Sequence, residues 1–248
     1  MLIDLRLNNK KVSFKFNLVD RPNYRKVHTK PVSVMGGTVI LLSFLIGLWL
    51  GHPIERAVKP LVIGLIIMYF VGIIDDIYDL KPILKLIGQI IAASVVVFYG
   101  ITIDFISFPI GPTIHFGILS IPITIIWIVA ITNAINLIDG LDGLASGVSV
   151  IGLTTIGFIA ILQGNVFIIM ICSLLIGALL GFLFFNFHPA TIFLGDSGAL
   201  MIGFIIGFLS FLICRMSCQP VRDLLAAKIS ARTFDIIYFD VFFVELYS

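Results

Sequence analysis

The sequence predicts an all-α protein, a polytopic transmembrane helical bundle of about seven spans, and two observations lead to this prediction. Of the 248 residues, 59% are hydrophobic and only 12% are charged, whereas a soluble domain carries about 25% charged residues. This is too little polar surface to cover a soluble globular protein, and a lipid bilayer is therefore the expected surrounding solvent. The apolar residues also fall in long runs separated by short polar loops, with no long linker or internal repeat between them.

Seven apolar stretches approach the roughly 17–25 residues that a membrane-spanning helix needs. They cover residues 34–51, 58–74, 83–103, 118–138, 144–163, 165–187 and 199–214. We therefore divide the chain into a basic segment at 1–33, a transmembrane domain at 34–214 and an atypical tail at 215–248.

The lysine and arginine residues predict the orientation of these spans. Alternating helix directions place four segments on one side, namely residues 1–33, 75–82, 139–143 and 188–198. Most basic residues before the tail lie on that side, and the other side carries only Arg56 and Lys59. Cytoplasmic loops of membrane proteins are enriched in Lys and Arg. The first side is therefore predicted to be cytoplasmic, in a multi-pass protein of the plasma or inner membrane, although the basic residues of the tail break this pattern.

The first polar cluster is the pair Asp75-Asp76, which ends an apolar run and has Asp79 close by. Adjacent carboxylates repel each other, which favours the binding of a cation. Mg²⁺ suits such a site because it takes one or two carboxylates and completes its shell with water and substrate phosphates. The alternative is an acidic helix end that faces water, and an isolated Asp-Asp pair would favour that alternative.

The second cluster runs from Thr132 to Ala145. Within it Asn133, Asn136, Asp139 and Asp142 recur at every third residue, so neighbouring members are predicted to share a helix face. The two asparagines lie inside an apolar run and need polar partners, which indicates a cavity lining. The alternative is a glycine-rich turn with solvated aspartates.

The third cluster runs from Asn186 to Gly198, where Gly195 and Gly198 bracket Asp196 and a helix resumes at once. A helix N-terminus favours a phosphate group, whereas the alternative is that Asp196 and Ser197 merely cap their own helix. His188 is not expected to be a ligand.

A basic run at 21–30 is either a positive-inside signal or an electrostatic funnel for a phosphorylated substrate. Nucleic acid is not an expected partner, because no recognition domain or stacking platform accompanies these charges.

Together these motifs resemble those of the polyprenyl-phosphate N-acetylhexosaminyl-1-phosphate transferases, in order, over about residues 18–213. The matching motifs are Asp20-Arg21-Pro22 through Arg25-Lys26-x-His28 to Gly36-Gly37, then Gly72-Ile73-Ile74-Asp75-Asp76, Lys85-Leu86-Ile87-Gly88-Gln89, Asn133-x-x-Asn136-x-x-Asp139-Gly140-x-Asp142-Gly143-Leu144-Ala145 and Phe193-Leu194-Gly195-Asp196-Ser197-Gly198. The Arg25-Lys26-x-His28 loop looks closer to the N-acetylglucosamine branch than to the muramoyl-pentapeptide branch.

The resemblance implies a Mg²⁺-dependent enzyme, with Mn²⁺ as an alternative ion. It would transfer a sugar 1-phosphate from a UDP-N-acetylhexosamine to a polyprenyl phosphate such as undecaprenyl phosphate, releasing UMP, in cell-envelope polysaccharide synthesis (lipopolysaccharide or teichoic acid). The implied roles are catalysis for Asp75 and Asp76, metal binding for Asp196, and substrate binding for a larger set. That set comprises Asn136, Asp139 and Asp142 at the nucleotide, Phe193 stacked on uracil, and Lys85 beside phosphate. The resemblance also admits a homodimer.

Two departures from the family pattern matter. A helix before the Asp-x-Pro loop and a histidine-rich motif near the C-terminus are both missing, so the chain is expected to be truncated or frame-disrupted at one or both ends. Two other functions therefore stay open, an inactive family member that only binds nucleotide or lipid, and an ion-coupled transporter that uses the aspartates. A transporter would carry its acidic groups near the bilayer midplane, whereas these are predicted at helix ends.

Overall fold

A computed structural model describes residues 19–20, 32–106 and 114–217, and these form a helical bundle, which confirms the predicted fold class. The helices are α1 Gly36–Gly51, α2 Val58–Tyr78, α3 Pro82–Phe98, α4 Ser120–Ile138, α5 Leu144–Leu162, α6 Val166–Asn186 and α7 Gly195–Ser217. Two short antiparallel pairs accompany them, β1 Val19–Asp20 with β2 Val32–Ser33 and β3 Phe105–Ile106 with β4 Ile114–His115. A 3₁₀ turn at Gly117–Leu119 leads into α4. The basic run at 21–30 and the tail beyond Ser217 lie outside the described residues.

Five of these helices are long and apolar enough to cross a membrane, namely α2, α4 with its 3₁₀ turn, α5, α6 and α7. Helices α1 and α3 are apolar but shorter, with 16 and 17 residues. The chain is therefore a multi-pass membrane protein, while the count of seven spans stays a prediction. The predicted stretch 83–103 is too long, because α3 ends at Phe98 and Gly100 then adopts a φ of +75°. Conversely, α7 begins at Gly195, ahead of the predicted 199.

Helix α7 is the centre of the bundle. Nearly all of its described side chains are buried, and it packs most extensively against α2 and α4. Small residues permit this close approach, since a Cβ added to Gly203 would lie 2.7 Å from the Cα of Thr132 on α4. Membrane helices associate through such small-residue contacts.

The outer faces of the bundle carry large apolar side chains. Trp49, Phe98 and Phe184 are 70%, 88% and 81% exposed. Such surfaces would aggregate in water, so lipid is their natural solvent.

Polar loops and helix ends converge at one end of the bundle. The C-terminal ends of α2, α4 and α6 meet the N-terminal ends of α1, α3, α5 and α7 there. The segment between α6 and α7 is tied to the start of α1, because Phe193 donates its N–H to the carbonyl of Ser33 at 2.8 Å and accepts from the N–H of Gly36 at 3.1 Å.

Candidate functional site

Four side chains from four helices meet at this end of the bundle. The Nζ atom of Lys85 (α3) lies 2.7 Å from Oδ2 of Asp75 (α2) and 3.1 Å from Oδ1 of Asp196 (α7). The same Oδ1 of Asp196 accepts a hydrogen bond from Nδ2 of Asn136 (α4) at 2.7 Å. Residues that are distant in sequence thus form one polar cluster, which we call the carboxylate–lysine cluster (Asp75, Lys85, Asn136 and Asp196).

Asp75 is buried and held from a second direction. Its Oδ1 atom accepts the backbone N–H of Leu80 at 2.8 Å, where the chain turns from α2 into α3. Asp79 makes this turn possible by adopting a φ of +52°, and Asp is one of the few non-glycine residues that enter this region readily. The turn brings Lys85, one turn into α3, back over Asp75.

Asp76 faces a different direction from Asp75. Its two carboxylate oxygens accept the backbone N–H groups of Asp196 and Ser197, at 2.8 and 3.1 Å. These N–H groups belong to the first turn of α7, where a helix has no acceptor of its own. The alternative that Asp196 and Ser197 cap their own helix is therefore wrong, because the capping carboxylate comes from α2.

The two asparagines of α4 have the polar partners that the sequence demanded. Asn136 bonds Asp196, and Asn133 exchanges two amide hydrogen bonds with the buried Gln89 of α3, at 3.1 and 2.6 Å. The predicted stripe of four polar residues does not continue along one helix face, however, because α4 ends at Ile138.

Asp139 and Asp142 lie beyond the end of α4 and separate from each other. Asp142 turns away from the carboxylate–lysine cluster, and its Oδ2 atom contacts Nδ1 of His188 at 3.0 Å and the N–H of Ala190 at 3.1 Å. Asp139 stays at the cluster. Burial, together with the charges of Asp196 and Asp76, raises the pKa of Asp139 to about 8. A bound cation would reverse this repulsion.

Phe193 is half-buried in the segment that bonds to the start of α1, and its role toward a nucleobase stays a prediction.

Two residues that organise the site lie within motifs named from the sequence, but sequence reasoning assigned them no role. Asn186 accepts the N–H of Gly143 at 3.1 Å and the hydroxyl of Ser146 at 3.2 Å, and it donates to the carbonyl of Ile192 at 3.0 Å. It therefore joins the ends of α5 and α6 to the segment that precedes α7. Gln89 is the other residue. The available signal was the same for both, a primary amide at the end of, or within, an apolar run.

The donor set of the cluster fits a divalent cation of the Mg²⁺ type. In the described part of the chain, no group of three or more His, Cys, Asp or Glu residues is close enough to hold a metal by itself. Mg²⁺ needs only one or two carboxylates when substrate phosphates and water complete its shell. The Lys85 ammonium already lies between Asp75 and Asp196 as a cation, and Oδ1 of Asn136 is buried without a hydrogen-bond partner beside them.

Comparison with known proteins gives concordant matches. The family described as glycosyl transferase family 4 matches residues 59–214. A probable undecaprenyl-phosphate N-acetylglucosaminyl 1-phosphate transferase of Bacillus subtilis is 44% identical over 82% of this chain and 57% of its own length. A phospho-N-acetylmuramoyl-pentapeptide-transferase of Streptococcus uberis is 38% identical over 71% and 58% of the two chains. A decaprenyl-phosphate N-acetylglucosaminephosphotransferase of Mycolicibacterium smegmatis is 35% identical over 79% and 53%. The chain spans little more than half the length of these relatives.

Proposed function

The chain belongs to glycosyl transferase family 4, and from that membership we propose that it transfers N-acetylglucosamine 1-phosphate from UDP-N-acetylglucosamine to a polyprenyl phosphate. UMP is the second product. The reaction takes place at the cytoplasmic face of the plasma or inner membrane and supplies cell-envelope polysaccharide synthesis.

The observation that carries this proposal is the meeting of Asp75, Lys85, Asn136 and Asp196 at one end of an apolar bundle. The reaction joins two phosphorylated substrates, so the site must hold negative charge and neutralise it. A cluster of carboxylates with a lysine, at the end of the bundle that the sequence predicts to be cytoplasmic, is suited to this task. An ion-coupled transporter is less well supported, because its acidic groups would lie near the bilayer midplane.

In the proposed reaction, an oxygen of the polyprenyl phosphate attacks the β-phosphorus of the UDP-sugar. The bond between the β-phosphorus and the bridging oxygen breaks, and the electron pair leaves with UMP. Phosphate monoesters have a second pKa near 6, so most of the acceptor is already dianionic at neutral pH. Positioning and charge neutralisation then supply most of the catalysis, as in other phosphoryl transfers.

Each residue of the cluster has a stated task in this proposal. Lys85 places its ammonium beside the transferred phosphoryl group, and Asp75 orients Lys85 and accepts the remaining proton from the fraction of acceptor that is a monoanion. Asp196, with Asn136 bonded to it, would hold Mg²⁺ or Mn²⁺. The bound ion would stabilise charge on the phosphate oxygens and on the leaving UMP. Asp139 and Phe193 would contact the nucleotide.

The choice of N-acetylglucosamine rests on two similarities. The Arg25-Lys26-x-His28 loop looks like that of the N-acetylglucosamine branch, and the Bacillus subtilis relative named for that sugar is 44% identical. The relatives named for muramoyl-pentapeptide reach 38% identity among those compared, so UDP-N-acetylmuramoyl-pentapeptide is the competing donor that an experiment has to include.

The test measures UMP release and lipid-linked sugar in membranes that contain the chain, with undecaprenyl phosphate and radiolabelled UDP-N-acetylglucosamine. Asp196→Asn and Asp75→Asn are expected to lower kcat by about 10²–10³, the usual effect of removing one charge-stabilising group. Asp79→Asn is the matched control, because Asp79 is exposed at the same helix end and Asn tolerates its positive φ. Chelation of Mg²⁺ should abolish turnover, and added Mn²⁺ should restore part of it.

The outcomes separate the competing functions. Turnover with the muramoyl-pentapeptide donor alone would keep the reaction and replace the sugar. Nucleotide binding without UMP release would identify an inactive member. Equal activity of Asp196→Asn and Asp79→Asn would contradict the assignment of the site.

A further inference from the structure

We propose that Asp76 is a positioning residue that fixes the first turn of α7, and with it the direction of Asp196, and does not itself touch substrate. This inference departs from the family-based expectation that Asp75 and Asp76 act together at the reacting groups. It rests on the proposed function only for its effect on turnover, since the contacts themselves belong to the fold.

The hydrogen bonds of Asp76 already use both of its oxygens. Oδ1 accepts from the N–H of Asp196 at 2.8 Å, and Oδ2 accepts from the N–H of Ser197 at 3.1 Å. A carboxylate at a helix N-terminus is also favoured by the helix dipole. In contrast, Asp75 has one oxygen on the Lys85 ammonium, a cation that a substrate phosphate can engage. The two neighbouring aspartates thus have different tasks because successive side chains of a helix diverge by about 100°.

Two glycines show how closely α2 and α7 approach at this point. A Cβ added to Gly72, one turn before Asp76, would overlap the backbone of Ser197. Gly195 adopts a φ of +74°, and a Cβ there would lie 2.9 Å from Oδ2 of Asp76 and 2.5 Å from Cγ1 of Val34. No other residue type fits this approach without moving α7, so the carboxylate and the glycines hold the first turn of α7 together.

The consequence concerns the next residue along the chain. The backbone N–H of Asp196 donates to Asp76. The side chain of the same residue contacts Lys85 and Asn136. Release of the first turn would swing the Asp196 carboxylate away from the cluster. Loss of Asp76 should therefore act through Asp196, and it should do so without removing a group that gains or loses a proton during turnover.

The experiment follows the first turn of α7 directly. Ser197 is 1% exposed, and Ser197→Cys is nearly isosteric. In the full chain with Cys172, Cys214 and Cys218 replaced by alanine, the rate of N-ethylmaleimide labelling of the new thiol reports opening of this turn. Asp76→Asn is expected to raise that rate about tenfold, which corresponds to about 1.4 kcal/mol and matches the loss of a helix N-cap. Asp79→Asn is the matched control, because Asp79 is an exposed aspartate at the same helix end, and it should leave the labelling rate within about twofold.

A second variant keeps every acid in place. Gly195→Ala pushes the same turn away from Asp76 and should raise the labelling rate as Asp76→Asn does. If Asp76→Asn fails to accumulate in membranes, Gly195→Ala alone tests the proposal. In both variants kcat should fall while the shape of its pH profile stays that of the parent, because loss of a general base would remove a limb of that profile.

Two results would overturn the inference. One is a loss of turnover in Asp76→Asn with labelling at the parent rate, which would make Asp76 a reacting group. The other is unchanged labelling in Gly195→Ala. If the parent shows no UMP release at all, the proposed reaction is wrong, yet the labelling rates still support or overturn the structural role of Asp76.

Discussion

Gln89 and Asn133 form a reciprocal pair of amide hydrogen bonds. Replacing either residue alone should destabilise the protein, whereas replacing both together should have little effect on its stability. The Nε2 atom of Gln89 donates to Oδ1 of Asn133 at 3.1 Å, and Nδ2 of Asn133 donates to Oε1 of Gln89 at 2.6 Å. Lys85 lies one turn before Gln89 on α3, and Asn136 lies one turn after Asn133 on α4. The pair therefore sets the register that brings both of these residues to Asp196.

The magnitude follows from burial and from the remaining partners. Hydrogen bonds between membrane helices average about 0.6 kcal/mol, so Gln89→Leu, which removes two, should destabilise by about 1 kcal/mol. Asn133 keeps its bond to the carbonyl of Val129 at 2.8 Å in that variant. Asn133→Leu should cost about 2 kcal/mol, because Gln89 is fully buried and both ends of its amide lose their partner. Replacing both residues by leucine leaves no unpaired amide and should be close to neutral.

The assay is thermal unfolding of the purified chain in detergent. For a chain of this size about 1 kcal/mol shifts Tm by 2–4 °C, so Asn133→Leu should lower Tm by about 4–8 °C and the double variant by less than about 2 °C. The double variant must therefore be more stable than Asn133→Leu alone. Additive losses would refute the reasoning, since they would mean that the two amides do not satisfy each other.

Three further predictions concern packing, a polar junction and pH. Gly203→Ala should lower the free energy of unfolding by about 1–3 kcal/mol, because the added methyl group overpacks against Thr132. Gly207→Ala should have a smaller effect, because the added Cβ would lie 3.3 Å from its nearest neighbouring atom. Equal effects of the two variants in a melting experiment would contradict this prediction. Asn186→Ala should cost about 3 kcal/mol, from three lost hydrogen bonds of about 1 kcal/mol each, and a Tm within about 2 °C of the parent would exclude it. The pKa of Asp139 is raised to about 8 in the fold from about 3.9 in the unfolded chain, so between these values the folded protein holds a proton that the unfolded chain has released. Stability should therefore fall as pH rises through this window and level off above it. In chelator, the Tm advantage of Asp139→Asn should accordingly grow from pH 5 to pH 8, and a shrinking advantage would contradict the assignment.

The sequence alone determined the class of the protein and the end of the bundle at which its polar residues gather. Composition and the length of the apolar runs predicted a membrane protein, because a chain with so few charged residues cannot cover its surface with polar groups in water. The need of Asn133 and Asn136 for polar partners was also readable, since an unpaired amide inside an apolar helix is costly. Helix ends were less predictable, as the early end of α3 at Phe98 and the early start of α7 at Gly195 show.

Only the tertiary structure decided which partner each polar residue has. Asp75 and Asp76 are neighbours of identical type, yet one contacts Lys85 and the other caps α7. The every-third-residue spacing predicted that Asp142 shares a helix face with its neighbour Asp139, but α4 ends at Ile138 and Asp142 contacts His188 instead. The physical reason is that a side chain's partner depends on the rotation of its helix and on contacts with residues 44 to 120 positions away in the chain. Composition and periodicity indicate only which residues must avoid lipid.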